Sequence, residues 1–255
     1  MQQIIAIALN TFRESVRDRI FYSLLAFAIL MLSFSLVLGS LTVGDEIKII
    51  KDFGLGAISL FGVLIAIFVG INLVYKEMEK RTIYVILANP IDRYQFILGK
   101  YAGLSLTLLV EVLIMSAGLL ALCYLKQHII YWDLFKAIIP IWFELQLILA
   151  IALFFSTFVS PFLSGMLTLS FYIIGHLTQD LKHLVVNMDN PVLKKTADIL
   201  YYIFPNLEAL NFKAQVVHGL PISRQVFFLS LTYAAIYTVL ILAFTLIIFN
   251  KRDIR

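Results

Sequence analysis

Six long apolar runs dominate this sequence and restrict it to one fold class. Each run holds about 20 residues, the length that an α-helix needs to cross the hydrocarbon core of a bilayer. A transmembrane β-barrel would show short segments of alternating polarity instead. We place the spans at 20–41, 54–75, 98–125, 135–158, 162–178 and 226–249. The sequence therefore predicts an all-α membrane protein with six transmembrane helices, in which residues 1–255 form a single transmembrane domain.

Composition agrees with this class. The chain is 61% hydrophobic and only 14% charged, whereas soluble domains are about half apolar and about a quarter charged. In such a chain a net charge of +4 is typical of basic residues held at an anionic membrane face. We therefore expect the lipid bilayer, and no nucleic acid, as a partner. The single cysteine, Cys123, excludes an intrachain disulfide.

Two segments outside the spans have helical patterns of their own. Residues 1–19 predict an amphipathic helix that lies in the membrane interface, with its apolar face formed by Ile5, Leu9, Phe12, Val16 and Ile20. Residues 179–225 are too apolar for a water-exposed loop, and Pro205, Gly219 and Pro221 divide them. We expect this segment to form short helices that fold back onto the outer membrane face.

Lysine and arginine residues in the short connections predict the orientation. One set of connections carries eleven of them and the opposite set carries four. This difference places the first set in the cytoplasm, together with both chain termini. The eleven are Arg13, Arg17, Arg19, Lys76, Lys80, Arg81, Arg93, Lys100, Lys251, Arg252 and Arg255. We expect a multi-pass protein of the cytoplasmic (inner) membrane.

The polar stretch 76–97, between the second and third spans, is the strongest candidate for a functional element. It predicts a cytoplasmic helix from about Tyr75 to Ala88, which Asn89-Pro90 ends. A polar helix with one apolar edge fits a groove in a partner protein, although a solvated interfacial helix would show the same pattern. The apolar edge is Ile83, Ile86 and Leu87, and the charged rim is Glu77, Glu79, Lys80 and Arg81.

Four stretches, in order and spacing, resemble one membrane-protein family. KEMEKRTIYVILANPIDRYQFILGKYAG is similar to the intracellular connection after the second span of type-2 ABC exporter permeases. ALNTFRESVRDRIFYSLL resembles their N-terminal elbow and first span, and FSTFVSPFLSGMLTL their second cytoplasmic turn. YYIFPNLEALNF resembles the segment before the last span in the branch associated with multicopper-enzyme maturation.

The resemblance implies the permease subunit of an ABC exporter that works as a dimer, in which a separate ATP-binding subunit acts on residues 76–97. ATP and Mg²⁺ would bind to that partner, and no cofactor to this chain. The residues agree, because a phosphate-binding loop requires G-x-x-x-x-G-K-[ST]. The one Gly-Lys pair, Gly99-Lys100, is followed by Tyr101 and is preceded by Tyr94 at the first glycine position. We therefore expect a transporter subunit and not an enzyme, with a substrate that the sequence does not identify.

Glu111 and Glu144 lie near the middle of their spans. A charged carboxylate at that depth costs at least ~2.5 kcal/mol, so such residues usually face a pathway or a partner. One interpretation places them on the translocation path, and another makes them protonated packing residues with Asn72 and Gln146 as possible neighbours. The alternative function is a proton-coupled secondary transporter that uses both carboxylates directly. A membrane scaffold without transport is a third possibility.

Other candidate sites are weaker. Ser164 and His176 suggest a serine protease within the membrane, but twelve residues of helix separate them by about 18 Å along one span, so they are expected not to pair. The four histidines show no metal-ligand spacing. Gly99 and Gly103 form a G-x-x-x-G pattern, for which we expect ordinary packing within the chain.

Overall fold

The computed structural model describes residues 2–42, 44–79, 92–186 and 203–251, together with 194–195, 198–199 and 201. Eight α-helices occur within these ranges, and the predicted all-α class is confirmed. They are α1 (Gln2–Arg17), α2 (Arg19–Ser40), α3 (Glu46–Glu79), α4 (Arg93–Gln127), α5 (Phe135–Ser156), α6 (Pro161–Val186), α7 (Lys213–Val217) and α8 (Arg224–Lys251). Short 3₁₀ turns lie at Trp132–Leu134 and Glu208–Leu210.

Six of these helices, α2 to α6 and α8, are long and apolar enough to cross a membrane, which confirms the predicted number of spans. Most span ends agree with the sequence within a few residues. The two largest differences are the start of α3, which lies at Glu46 rather than at residue 54, and the end of α6, which lies at Val186 rather than at residue 178. Two charged residues in the added turns at the start of α3, Glu46 and Lys51, have partners on other elements. Lys126 binds Glu46 at 3.2 Å, and the ammonium group of Lys51 lies 3.4 Å from the ring centroid of Tyr131.

The centre of the molecule is formed by α3 and α5. In the most apolar 18 residues of these two helices, 78% are buried within the chain, against 22% in α2, α6 and α8. Small residues let the central helices approach closely, because a side chain at Gly62 would collide with Leu145 of α5. The outer helices therefore leave apolar sides for lipid or for another protein, as the bilayer setting allows.

The N-terminal helix α1 lies across the start of α4. It ends at Arg17, and Asp18 caps α2 by accepting a hydrogen bond from the backbone N–H of Ile20 at 2.8 Å. The amphipathic helix predicted for residues 1–19 is thus present. The side of α1 that packs on the protein holds small residues, namely Ala8, Thr11 and Ser15. Ile5 and Leu9 of the predicted apolar face are exposed instead, as expected of a face turned to lipid.

Gly99 and Gly103 of α4 form the seat for α1. A Cβ atom at Gly99 would lie 2.7 Å from the side chain of Ile7, and one at Gly103 would lie 2.5 Å from the backbone oxygen of Ala8. The G-x-x-x-G pattern therefore serves packing within the chain, as predicted.

The described part of the connection between α6 and α8 folds back onto the membrane helices. Leu207, Leu210 and Phe212 are buried, and α7 packs against α3 and α5. Gly219, at φ +66°, turns the chain towards α8. We call residues 203–217 the folded-back segment. Its return to the bundle agrees with the predicted folding back of this part of 179–225, and its location on the outer membrane face stays a prediction.

Candidate functional site

A line of polar side chains joins the core to the folded-back segment. It starts at Glu144 of α5, whose side chain is 0% exposed. Glu144 Oε1 lies 2.9 Å from His176 Nε2 of α6, and His176 Nδ1 lies 3.0 Å from Glu208 Oε2. Asn211 completes the line by donating a hydrogen bond to Glu208 Oε1 at 2.9 Å. We call Glu144, His176 and Glu208 the carboxylate–histidine triad.

The backbone beside His176 explains how Glu208 reaches it. The backbone N–H of Leu207 donates to the oxygen of Gly175 at 3.1 Å. A Cβ atom at Gly175 would lie 2.8 Å from Leu207 Cδ1, so the missing side chain lets the folded-back segment touch α6 at this point. Asn206 Oδ1 accepts a hydrogen bond from the N–H of Ala209 at 3.2 Å and supports the 3₁₀ turn that carries Glu208.

Electrostatics favours an ionised Glu208. Partial burial alone would raise the pKa of this carboxyl. The hydrogen bonds from His176 and Asn211, with the charges of His176 and Lys213, outweigh burial and lower the pKa below its ordinary value. Glu208 is thus held as a carboxylate, at the partly exposed end of the triad.

The second predicted carboxylate, Glu111, lies apart from the triad. Its side chain is 0% exposed, and neither oxygen has a hydrogen-bond partner among the residues that the structure describes. A Cβ atom at Gly62 would lie 3.3 Å from Glu111 Oε2, so this carboxyl faces the contact between α3 and α5. Unpaired polar groups this deep are costly in proteins. A role on the translocation path stays a prediction for both glutamates.

The predicted neighbours of these carboxylates have other surroundings. Gln146 Oε1 accepts a hydrogen bond from the hydroxyl of Tyr101 at 3.1 Å. Asn72 lines an apolar cavity of about 210 Å³ between α3 and α6, together with Phe68 and Met166.

Ser164 is buried and donates to the oxygen of Ala152 at 3.4 Å. Both ring nitrogens of His176 face carboxylates, so a Ser164–His176 pair is absent, as expected.

Only two of the seven predicted coupling residues belong to the part of the chain that the structure describes. Glu77 and Glu79 fall on the last turn of α3, which continues the span instead of starting a separate helix near Tyr75. Lys80, Arg81, Ile83, Ile86 and Leu87 lie outside the residues that the structure describes. Their role as contacts for an ATPase subunit stays a prediction.

Sequence reasoning missed His176 and Glu208 as partners of Glu144. From the sequence, His176 was a candidate only as a partner of Ser164, and Glu208 had no predicted role. The three residues are spaced 32 apart along the chain, so no local motif connects them. The one available signal was Glu144 itself, since an ionisable group inside a span requires a partner from another helix.

The comparison with known families agrees with the architecture. A family model described as ABC-2 family transporter protein matches residues 5–254. A search of curated proteins gave no match. The multicopper-enzyme branch stays a prediction, and nothing in the match supports a proton-coupled secondary transporter. With six membrane-spanning helices and a family match over almost its whole length, the chain belongs to the ABC-2 family of transporter proteins, as a membrane-embedded permease component of an ABC transporter.

Proposed function

We propose that this chain is the permease subunit of an ATP-driven exporter of the cytoplasmic membrane, and that ATP is hydrolysed on a separate subunit. The family match over residues 5–254 carries this proposal. We further propose that two permease copies assemble with two ATPase subunits. ATP and Mg²⁺ would bind to the partner.

The helices that flank the polar stretch are suited to transmit force. α3 has 34 residues and α4 has 35, so each is about 51 Å long, well beyond the ~30 Å hydrocarbon core. These helices pack against each other, and α3 also packs against α5 in the core. A displacement of residues 80–91 would therefore act on two long helices at once, which supports this stretch as the coupling element.

The start of α4 is held firmly. Asp92 and Gln95 form a capping box there. Arg93 Nη1 donates to the backbone oxygens of Phe249 and Asn250, at 3.1 and 3.0 Å. Since these oxygens lie at the end of α8, movement at the start of α4 would also reach the last span.

Variants of the predicted anchors test the coupling proposal. An interface helix depends on a few apolar anchors, whereas its charged rim acts more on assembly rate and salt dependence. Ile86→Ala should weaken ATPase association or uncouple hydrolysis, and Arg81→Glu should make assembly more salt-sensitive. The measurements are co-purification and substrate-stimulated ATPase activity of the full complex, with Lys195→Ala, an exposed position, as the control. Normal assembly and coupling in both variants would show that this stretch does not transmit the force.

A further inference from the structure

The carboxylate–histidine triad requires a proton that a neutral imidazole cannot supply. Both ring nitrogens of His176 lie within hydrogen-bond distance of a carboxylate oxygen, at 2.9 and 3.0 Å. Each contact needs one hydrogen, and a neutral imidazole carries one N–H. The second hydrogen must come from an imidazolium ion or from a protonated carboxyl group. The triad with both contacts formed therefore holds one more proton than a neutral histidine between two carboxylates.

The groups around the triad do not replace this proton. On α6 itself, the ring of Tyr172 packs edge-on against the imidazole, with 4.9 Å between centroids. Ser59 of α3 neighbours the hydroxyl of Tyr172. Lys213 of α7 is a cation near Glu208, and Asn211 donates to the other oxygen of Glu208. The hydroxyl of Tyr233, on α8, accepts a hydrogen bond from the backbone N–H of Asn206. None of these described contacts donates to the oxygens that face the imidazole.

We propose that Glu144, His176 and Glu208 form a proton-binding site that fastens the folded-back segment to α5 and α6. With the proton bound, both contacts are charge-assisted hydrogen bonds. Without it, the imidazole keeps one N–H for two carboxylates. The fully buried Glu144 has the greater need of that hydrogen, since the side chain of Glu208 is 33% exposed and is able to bind water. Loss of the proton therefore releases the folded-back segment at Glu208.

The expected pH dependence has two limits. At acidic pH the contact weakens as Glu208 is protonated. Because its pKa is lowered in the folded state, the stabilisation is complete above the ordinary pKa of a glutamate and is lost as the pH falls through the lowered value. At alkaline pH the contact weakens as the bound proton leaves. The folded-back segment is thus held most firmly between these limits.

Hydrogen exchange of the full-length protein in lipid nanodiscs tests the site. We expect the protection of residues 203–217, corrected for the chemical exchange rate, to fall by about tenfold from about pH 6 to about pH 10. Residues 141–153 of the α5 core, measured in the same sample, should keep their protection. Unchanged protection of 203–217 in the wild-type protein would overturn the proposal.

Glu208→Gln separates proton binding from a merely structural contact. Its amide N–H is able to donate to His176 Nδ1 while a neutral imidazole donates to Glu144, so both contacts form without the extra proton. Protection of 203–217 should therefore be independent of pH in Glu208→Gln and should equal the wild-type value at about pH 6. His218→Gln, an exposed histidine close to the same segment, should retain the wild-type pH profile. If Glu208→Gln lost protection as steeply as the wild type, or if His218→Gln removed the pH response, the triad would not be the proton site.

Discussion

At the scale of single residues, small side chains decide where helices meet. Gly103 has the backbone of Ala8 and the side chain of Thr11 against it, whereas Gly56 has open space beside its Cα atom. Both glycines lie inside long membrane helices. They differ in surroundings and not in backbone conformation, so they form a matched pair for mutation.

Gly103→Ala should destabilise the protein and Gly56→Ala should not. The added methyl group at 103 would lie 2.5 Å from a backbone oxygen, and relief of such overpacking typically costs about 1–3 kcal/mol. At position 56 the same methyl group meets nothing, and the better helix propensity of alanine should stabilise by up to about 1 kcal/mol. Thermal unfolding in detergent measures both. Equal effects of the two substitutions would contradict the proposed seat for α1.

Glu111 makes a second residue-scale prediction. Its carboxyl group is buried without a hydrogen-bond partner among the described residues. Replacing such a group with an apolar side chain of similar size removes a cost of about 1–3 kcal/mol, so Glu111→Leu should keep or increase the free energy of unfolding. Transport should fall if the carboxyl group lies on the substrate path.

Glu111→Gln is the control, because it keeps shape and polarity and removes only the ability to ionise. Both variants should insert and fold, which detergent size-exclusion chromatography and unfolding measure. Normal transport and normal pH dependence in both would assign Glu111 to packing alone.

At the scale of elements, α4 and α8 are joined at one end by a mixed contact. Arg93 donates to two backbone oxygens in the last turn of α8, and the rings of Phe96 and Phe249 stack with 6.1 Å between their centroids. Cations are favourable at helix C-termini because the last carbonyl groups have no partner inside the helix. The arginine therefore fixes the end of α8, while the aromatic pair supplies the packing.

Arg93→Gln should loosen the end of α8 without unfolding the bundle. The loss of a charged donor to helix-end carbonyl groups costs about 1 kcal/mol, which is about a fivefold loss of hydrogen-exchange protection at residues 245–250. Arg224→Gln, at the opposite end of α8, is the matched control and should leave these residues unchanged. Protection that is the same in all three proteins would show that Arg93 does not anchor α8.

At the scale of the whole molecule, the outer helices have apolar surfaces that the single chain does not cover. Residues such as Phe27, Phe228 and Leu229 are more than half exposed. In water such surfaces would cause aggregation, but lipid or a second permease copy accommodates them. The membrane is thus part of what stabilises this fold.

The orientation of the molecule gives a further prediction. Excess Lys and Arg on one set of connections predicts that residue 94 faces the cytoplasm and residue 195 faces outward. Both positions are exposed. After the buried Cys123 is replaced by alanine, Lys195→Cys should react with an impermeant thiol reagent in intact cells. Tyr94→Cys should react only after permeabilisation, and the reverse pattern would invert the topology.

The sequence alone determined the fold class and the number of spans for a physical reason, and it indicated the family only through the resemblance of four stretches. A helix in lipid satisfies its own backbone hydrogen bonds, so a run of about 20 apolar residues is sufficient to define a span. The packing role of Gly99 and Gly103 could also be predicted. Where charged residues extend a helix beyond the bilayer, as at Glu46, the sequence placed the boundary too late, because the partners that stabilise the extra turns lie on other elements.

Only the tertiary structure decided which polar groups meet. Glu144 was recognised as a buried carboxyl, but its partners depend on how α5 and α6 are rotated about their axes and on where the folded-back segment lies. A helix that is apolar on nearly all sides carries no pattern that fixes this rotation. Packing fixes it instead, through contacts such as Leu207 on Gly175 and Leu145 on Gly62. These contacts bring together residues 32 positions apart and leave Gln146 to pair with Tyr101.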